Sequence, residues 1–167
     1  MKNNITISMY VHEVILANRF AVLATESEGQ PHASLIAITP VEDYRILIFA
    51  TYRNTRKYTN LIQNGKVAIL FENRSINDIN GQDISVLTAF GRAEEVLSGN
   101  TNQELLAHLS RHPELSTFLL STDCAVFRVN VEAYQVVHGI ENVEWWNIDD
   151  IKLVPPYSPE LNLNSLA

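Results

Sequence analysis

Cysteine is almost missing from this chain: Cys124 is the one thiol in 167 residues. No disulfide can therefore close within it, which fits a reducing compartment such as the cytoplasm. Glycine and proline are scarce, six of each, which excludes collagen-like and low-complexity chains. No apolar run approaches the roughly 18 residues of a membrane-spanning helix. Met1-Lys2-Asn3-Asn4-Ile5 carries one basic residue and no apolar region follows it, so no secretory signal is expected. Basic residues are few, 12 Lys and Arg against 19 Asp and Glu, for a net charge of −7. A field of that sign repels nucleic acid and anionic lipid, so neither is expected as a partner. The GxSxG, Walker, GxGxxG and zinc-ligand patterns are also missing, which leaves several common classes of site without a signal and predicts no metal.

What is present is a hydrophobic content of 46% in a length suited to one domain, taken as residues 1–154 with a Pro, Asn, Ser and Leu tail at 155–167. Helical spacing of Met9, Val11, Val14, Ile15 and Leu16 predicts a leading helix over 8–18. Apolar β-favouring runs predict strands over 20–25, 33–38, 46–51, 67–71, 84–96 and 124–137. Glu28-Gly29-Gln30-Pro31 reads as the turn of a hairpin between the first two, and Asp43-Tyr44-Arg45 as the turn into the third. Residues 72–83 shift to Asn, Asp, Ser and Gly and predict a long loop. Gly91, inside a strand, implies a bulge or a close backbone approach. A helix after Thr101, capped by that residue with Glu104 three positions on, is stopped by Pro113, and a further short helical segment follows. Six strands with a helix inserted after the third predict a small antiparallel barrel, mainly β with flanking helices. The helices can cover its outer faces only in part, so a homodimer is expected.

The most informative stretch is 46–62. The run Ile46-Leu47-Ile48-Phe49 ends in a polar turn, and Tyr58, Leu61 and Ile62 then fall on one helix face, with Asn54 or Thr55 as cap. Arg53, Arg56 and Lys57 crowd the first turn, where the helix dipole disfavours cations. Free backbone N–H groups, a hydroxyl and cations at a helix start suit a phosphate.

The segment Phe49-Ala50-Thr51-Tyr52-Arg53-Asn54-Thr55-Arg56-Lys57 resembles the Phe-x-Thr-x-x-x-Ser-Arg-Lys signature of the pyridoxamine 5'-phosphate oxidase-like FMN-binding split barrels, with Thr55 in place of Ser. Weaker likeness extends to residues 29–35 and 86–91. The resemblance implies a six-stranded antiparallel split β-barrel that dimerises with FMN at the subunit interface and acts as a flavin-dependent oxidoreductase on a small molecule. It assigns the FMN phosphate to Thr55, Arg56 and Lys57. Phe49, Ala50 and Thr51 would line the flavin and ribityl chain, and Ala33, Ser34 and Leu35 would run beside the ring. An arginine of the oxidase is replaced by Ser34, and its Gln-Val-Arg-x-x-Gly by Val86-Leu87-Thr88-Ala89-Phe90-Gly91, so the substrate is left open. The stretch from Phe127 to Gly139 is similar to haem-utilisation split barrels, which makes haem the alternative cofactor, with His138 a candidate ligand; a deazaflavin and a non-catalytic flavin module also stay open.

Other candidates have plainer readings. Glu104, His108 and His112, four residues apart on one helix face, are read as a solvated polar face. Cys124 is read as core, Trp145 and Trp146 as dimer packing, and His32 equally as a ligand-facing or an ordinary turn residue.

Overall fold

The computed structural model describes residues 4–73, 85–97, 102–139 and 142–151. The tail from Pro155, the cap expected at Thr101 and nearly all of the loop expected at 72–83 lie outside them. The elements are α1 (Asn4–Ala17), β1 (Phe20–Ser27), β2 (Gln30–Ala37), β3 (Thr39–Val41), β4 (Ile46–Tyr52), α2 (Arg56–Gln63), β5 (Lys66–Asn73), β6 (Ser85–Glu95), α3 (Gln103–Arg111), α4 (Ser116–Leu119), β7 (Cys124–His138) and β8 (Asn142–Asn147). All six expected strands form; the short β3 and the terminal β8 are additions.

The strands make one antiparallel sheet in the order β2-β1-β5-β6-β7-β4-β3, with β8 on β7. It curls until β2 lies against β4, and no ladder is formed between these two among the described residues. That seam is the split of the barrel. The hairpin β1–β2 closes on Glu28 and Gly29, both at positive φ (54° and 78°), the mirror-image turn whose twist matches its strands. Both strand prolines, Pro31 in β2 and Pro40 in β3, fall on strands at the ends of the sheet order, where a missing N–H is tolerated.

Inside the curl, Leu23, Leu47, Phe49, Ile69, Phe71, Leu87, Phe127 and Tyr134 are fully buried or nearly so, with Val11, Val14 and Ile15 of α1 in the same cluster. Phe49 and Phe127 stack with ring centroids 5.3 Å apart. On the other side of β4, Ile46 and Ile48 pack with Val126, Val96 and Leu105 of α3. Residues 46–49 are thus buried on both faces, which explains their unbroken apolar run.

Gly91 fulfils both readings made of it. The register between β6 and β7 shifts between Phe90 and Gly91, and a Cβ on Gly91 would lie 2.1 Å from the Asn130 carbonyl oxygen. The bulge leaves Glu132 without a cross-strand partner on β6, so the inward parity of β7 changes from Ala125, Phe127, Val129 and Val131 to Tyr134 and Val136. This is why the alternation in the sequence is clean only as far as Val131.

The histidine reading is corrected. The cap of α3 is Asn102, whose side chain accepts from the Leu105 amide, and the histidine face turns inward rather than to solvent. His108 and His112 are both at 0% exposure, with rings 4.9 Å apart. Thr39 Oγ1 is 2.8 Å from His108 Nδ1, and His112 Nε2 donates to the Ile38 carbonyl at 3.0 Å. An uncharged imidazole buries readily once one nitrogen has a partner, which a polar label in a sequence pattern conceals. Next to them Arg111 donates to the carbonyls of Ile38, Ile15, Leu16 and Asn18, tying α3 to the end of α1.

Burial, the His112 ring and the Arg111 guanidinium lower the His108 pKa from 6.5 to about 4. The unfolded chain then binds the extra proton between these values, so stability falls as pH drops from about 6.5 towards about 4 and is flat in this respect above 6.5. At 1.36 kcal/mol per pKa unit the loss is roughly 3 kcal/mol. Urea unfolding across that range should show this slope in the native chain and lose most of it in His108→Leu.

Candidate functional site

β4 delivers the chain to the start of α2. Thr55 adopts extended backbone (φ −101°, ψ 153°) and caps the helix, its Oγ1 accepting from the Tyr58 amide. The same hydroxyl donates to the Tyr52 carbonyl at 2.8 Å, so in its 2.9 Å contact with Thr51 Oγ1 the Thr51 hydroxyl is the donor. Below the cap, Asn60 is buried and donates to Thr25 Oγ1 at 3.0 Å, pinning α2 onto the β1–β2 hairpin. Sequence reasoning did not single out Asn60; its place on the helix face with Leu61 was the available signal.

Arg56 and Lys57 follow the cap without a hydrogen bond or ion pair among the described residues, and no acidic side chain lies in that first turn. Their amides occupy the helix positions that have no intrahelical acceptor. Two cations, two free N–H groups and a pair of hydroxyls therefore share one end of α2. Arg53 does not join them. Its guanidinium pairs with Glu95 of β6, donates to the Cys124 carbonyl at 3.0 Å and lies over the Tyr58 ring, whose hydroxyl donates to Glu95 at 3.1 Å. Desolvation, followed by the Glu95 hydrogen bond, raises the Tyr58 pKa. The expected convergence of three cations is thus a pair, because the third is neutralised within the fold. Cys124 is half-buried, and desolvation raises its thiol pKa, which keeps it protonated.

The other predicted site residues are dispersed. The Phe49 side chain is in the core, and Ala50 faces the opposite side of β4, against Ile46, Ile48 and Val126. Of 49–51, only the Thr51 side chain meets Thr55. On β2, Ser34 shares the inward parity of Ile36, while Ala33 and Leu35 point outward and are exposed. Ser34 Oγ and His32 Nδ1 are buried without a hydrogen-bond partner among the described residues, on the strand that lies across the seam from β4.

Ladder registers carry an outward row from Leu35 through Val22, Leu70, Thr88 and Gln135 to Trp145. Leu35 is 68% and Trp145 58% exposed, and Trp145 leans on Phe90 with ring centroids 5.0 Å apart. The exposed apolar members of the row, Leu35, Val22, Leu70 and Trp145, make a broken apolar strip from β2 to β8, interrupted by Thr88 and Gln135. Trp146 points the other way and meets Tyr10 edge-on, with His138 on the same tyrosine.

The sequence matches the family described as Pyridoxamine 5'-phosphate oxidase over residues 10–138. The chain belongs to that family. No curated protein matches the sequence. Among solved structures, the chain is similar to a heme binding protein from Mycobacterium smegmatis (TM-score 0.75, 16% identity), covering 86% of this chain and 59% of that one. It therefore spans little more than half of that relative. It is also similar to a general stress protein 26-related protein of the pyridoxinephosphate oxidase family from Clostridium acetobutylicum (TM-score 0.71, 16% identity, 90% and 99% covered). A FAD-binding protein from Mesorhizobium loti gives a TM-score of 0.63 at 18% identity, with 77% and 90% covered. At these identities the likeness is one of fold. As a member of the family the chain has the split barrel that the sequence predicted.

The cap is the organising contact of this site. Thr55→Ala should destabilise the protein by about 1 kcal/mol, the usual cost of losing an N-cap hydroxyl, and Thr55→Ser should restore most of it; chemical denaturation midpoints measure both.

Proposed function

We propose that this chain is a homodimeric FMN-binding protein acting as a flavin-dependent oxidoreductase in a reducing compartment. The observation that supports this most is the start of α2, where Arg56 and Lys57 have no partner among the described residues beside a Thr-capped helix end. A terminal phosphate fits that donor set: free amides, a hydroxyl and two cations in one place. FMN carries such a phosphate, and Thr55, Arg56 and Lys57 would hold it. Thr51 would stand next along the chain, with the backbone of 49–51 and the strand Ala33, Ser34 and Leu35 at the ring. The flavin, when bound, supplies the redox chemistry, and the chain supplies position and charge. The orphaned Ser34 Oγ and His32 Nδ1 are polar groups on β2 that a bound group could satisfy after a small adjustment of that edge strand. A second copy would cover the outward apolar strip, a surface of the kind that marks association.

A second reading, haem handling, draws support from the fold likeness to a heme binding protein and from His138 at the end of β7. The absorbance of the purified protein separates the two: a flavin spectrum supports the first, a Soret band the second, and a blue-shifted flavin-like spectrum a deazaflavin. Oxidation of a reduced nicotinamide by the flavin-loaded protein separates an enzyme from a silent flavin module.

Arg56→Ala with Lys57→Ala should weaken FMN binding at least about a hundredfold, the sum of two charge-assisted contacts, while the protein stays folded and dimeric. Unchanged titration by flavin fluorescence would remove the phosphate site. Leu35→Glu, which sets a charge in the apolar strip, should shift the sedimentation profile to monomer; a dimer as tight as the native one would remove the strip as the interface.

A further inference from the structure

A cleft of about 590 Å³ opens between the end of α1, β3, α3 and the turn into β4, lined by residues that have no role at the α2 site. That volume suits a small organic molecule. Leu16, Pro40, Val41 and Ala107 form its apolar walls, and Asp43 and Arg111 supply charge.

The charges can be followed one by one. Arg111 Nε and Nη2 are taken by four backbone carbonyls, at 3.1 Å for Ile38 and 3.2–3.4 Å for Ile15, Leu16 and Asn18; Nη1 has no acceptor among the described residues. Glu42 is 3.5 Å from Arg128. The Tyr44 hydroxyl is bonded to His12. Asp43 makes neither a hydrogen bond nor an ion pair among the described residues, so the cleft presents a carboxylate without a partner together with Arg111, whose guanidinium meets carbonyls and no carboxylate among them.

The turn presenting it is held in an unusual shape. Glu42, Asp43 and Tyr44 have φ of 48°, 55° and 66°, three successive side-chain-bearing residues in the left-handed region. Such segments persist only where their surroundings hold them, and they gather at ligand sites. Here Tyr134 donates to the Tyr44 carbonyl at 2.5 Å and the Arg45 amide to Glu42 at 3.1 Å, so the turn is fixed from β7 and from within.

We propose that this cleft binds a small molecule bearing an ammonium group on an apolar body, with Asp43 taking the cation and the Leu16, Pro40, Val41 and Ala107 walls taking the body. Arg111 Nη1 is placed for an acceptor atom further along the ligand. The site is separate from the flavin reading and does not rest on it.

The test uses the full-length ¹⁵N-labelled protein and three probes of matched body: hexylammonium, hexanoate and hexanol. Saturable amide shifts at Val41, Asp43 and Ala107 are expected with hexylammonium, at an affinity about fivefold above hexanoate and hexanol, the scale of one exposed ion pair. Asp43→Asn, which tolerates the left-handed backbone, should erase that preference, and Ala107→Trp, which fills the cleft, should erase the shifts. Equal binding of the three probes, shifts confined to other surfaces, no saturable shifts, or an Asp43→Asn variant that keeps the preference would each overturn the proposal. The flavin content of the same variants reads the α2 site independently.

Discussion

The double-sided burial of β4 is the constraint on which the rest of the structure depends. Ile46 to Phe49 has no face left for solvent, so the inner side requires the curl of the sheet and the outer side requires α3. The curl brings β2 to β4, while α2 is held on β1 through Asn60 and Thr25. The demand for an outer cover fixes α3 over Ile46 and Ile48, and α3 in turn carries Arg111 and the two histidines to the end of α1. Both candidate sites thus sit at the margins of a strand whose first four residues are core. This division is physically reasonable, since a strand packed on both sides holds its ends still.

Much of this was legible in the sequence because the local signals and the tertiary demands agree. The hairpin turn at Gly29, a polar cap at the start of α2 and the bulge at Gly91 are each set by a residue whose own chemistry decides the outcome. What was not legible depends on partners distant in sequence. His108 and His112 look like a solvated face until Thr39 and the Ile38 carbonyl, some seventy residues earlier, are brought against them. Arg53 looks like a third phosphate ligand until Glu95 neutralises it. The signature places Phe49 and Ala50 in one row with Thr51, but strand alternation sends the three side chains to two faces. The cleft at Asp43 is assembled from three separate segments, around residue 16, over 39–44 and over 107–111, which no local pattern joins.

The two candidate sites show the same physical logic with opposite sign. At α2, cations are left unpaired among the described residues where the helix dipole already disfavours them. At the turn into β4, a carboxylate is left unpaired among them on a backbone that most side chains avoid. Neither arrangement helps the fold by itself, and each is held in place by its neighbours: the Thr51–Thr55 hydroxyl pair in one case, Tyr134 and the Arg45 amide in the other.

The prolines at the sheet ends bear on how copies of this chain can meet. A curled sheet that is left unclosed offers two free edges, and strands added there one after another would grow a filament without limit. Pro31 on β2 and Pro40 on β3 each remove a donor from an edge where such growth would begin. The two prolines thus discourage strand addition at β2 and β3, while β8, paired with β7 alone among the described strands, is an edge that carries no proline.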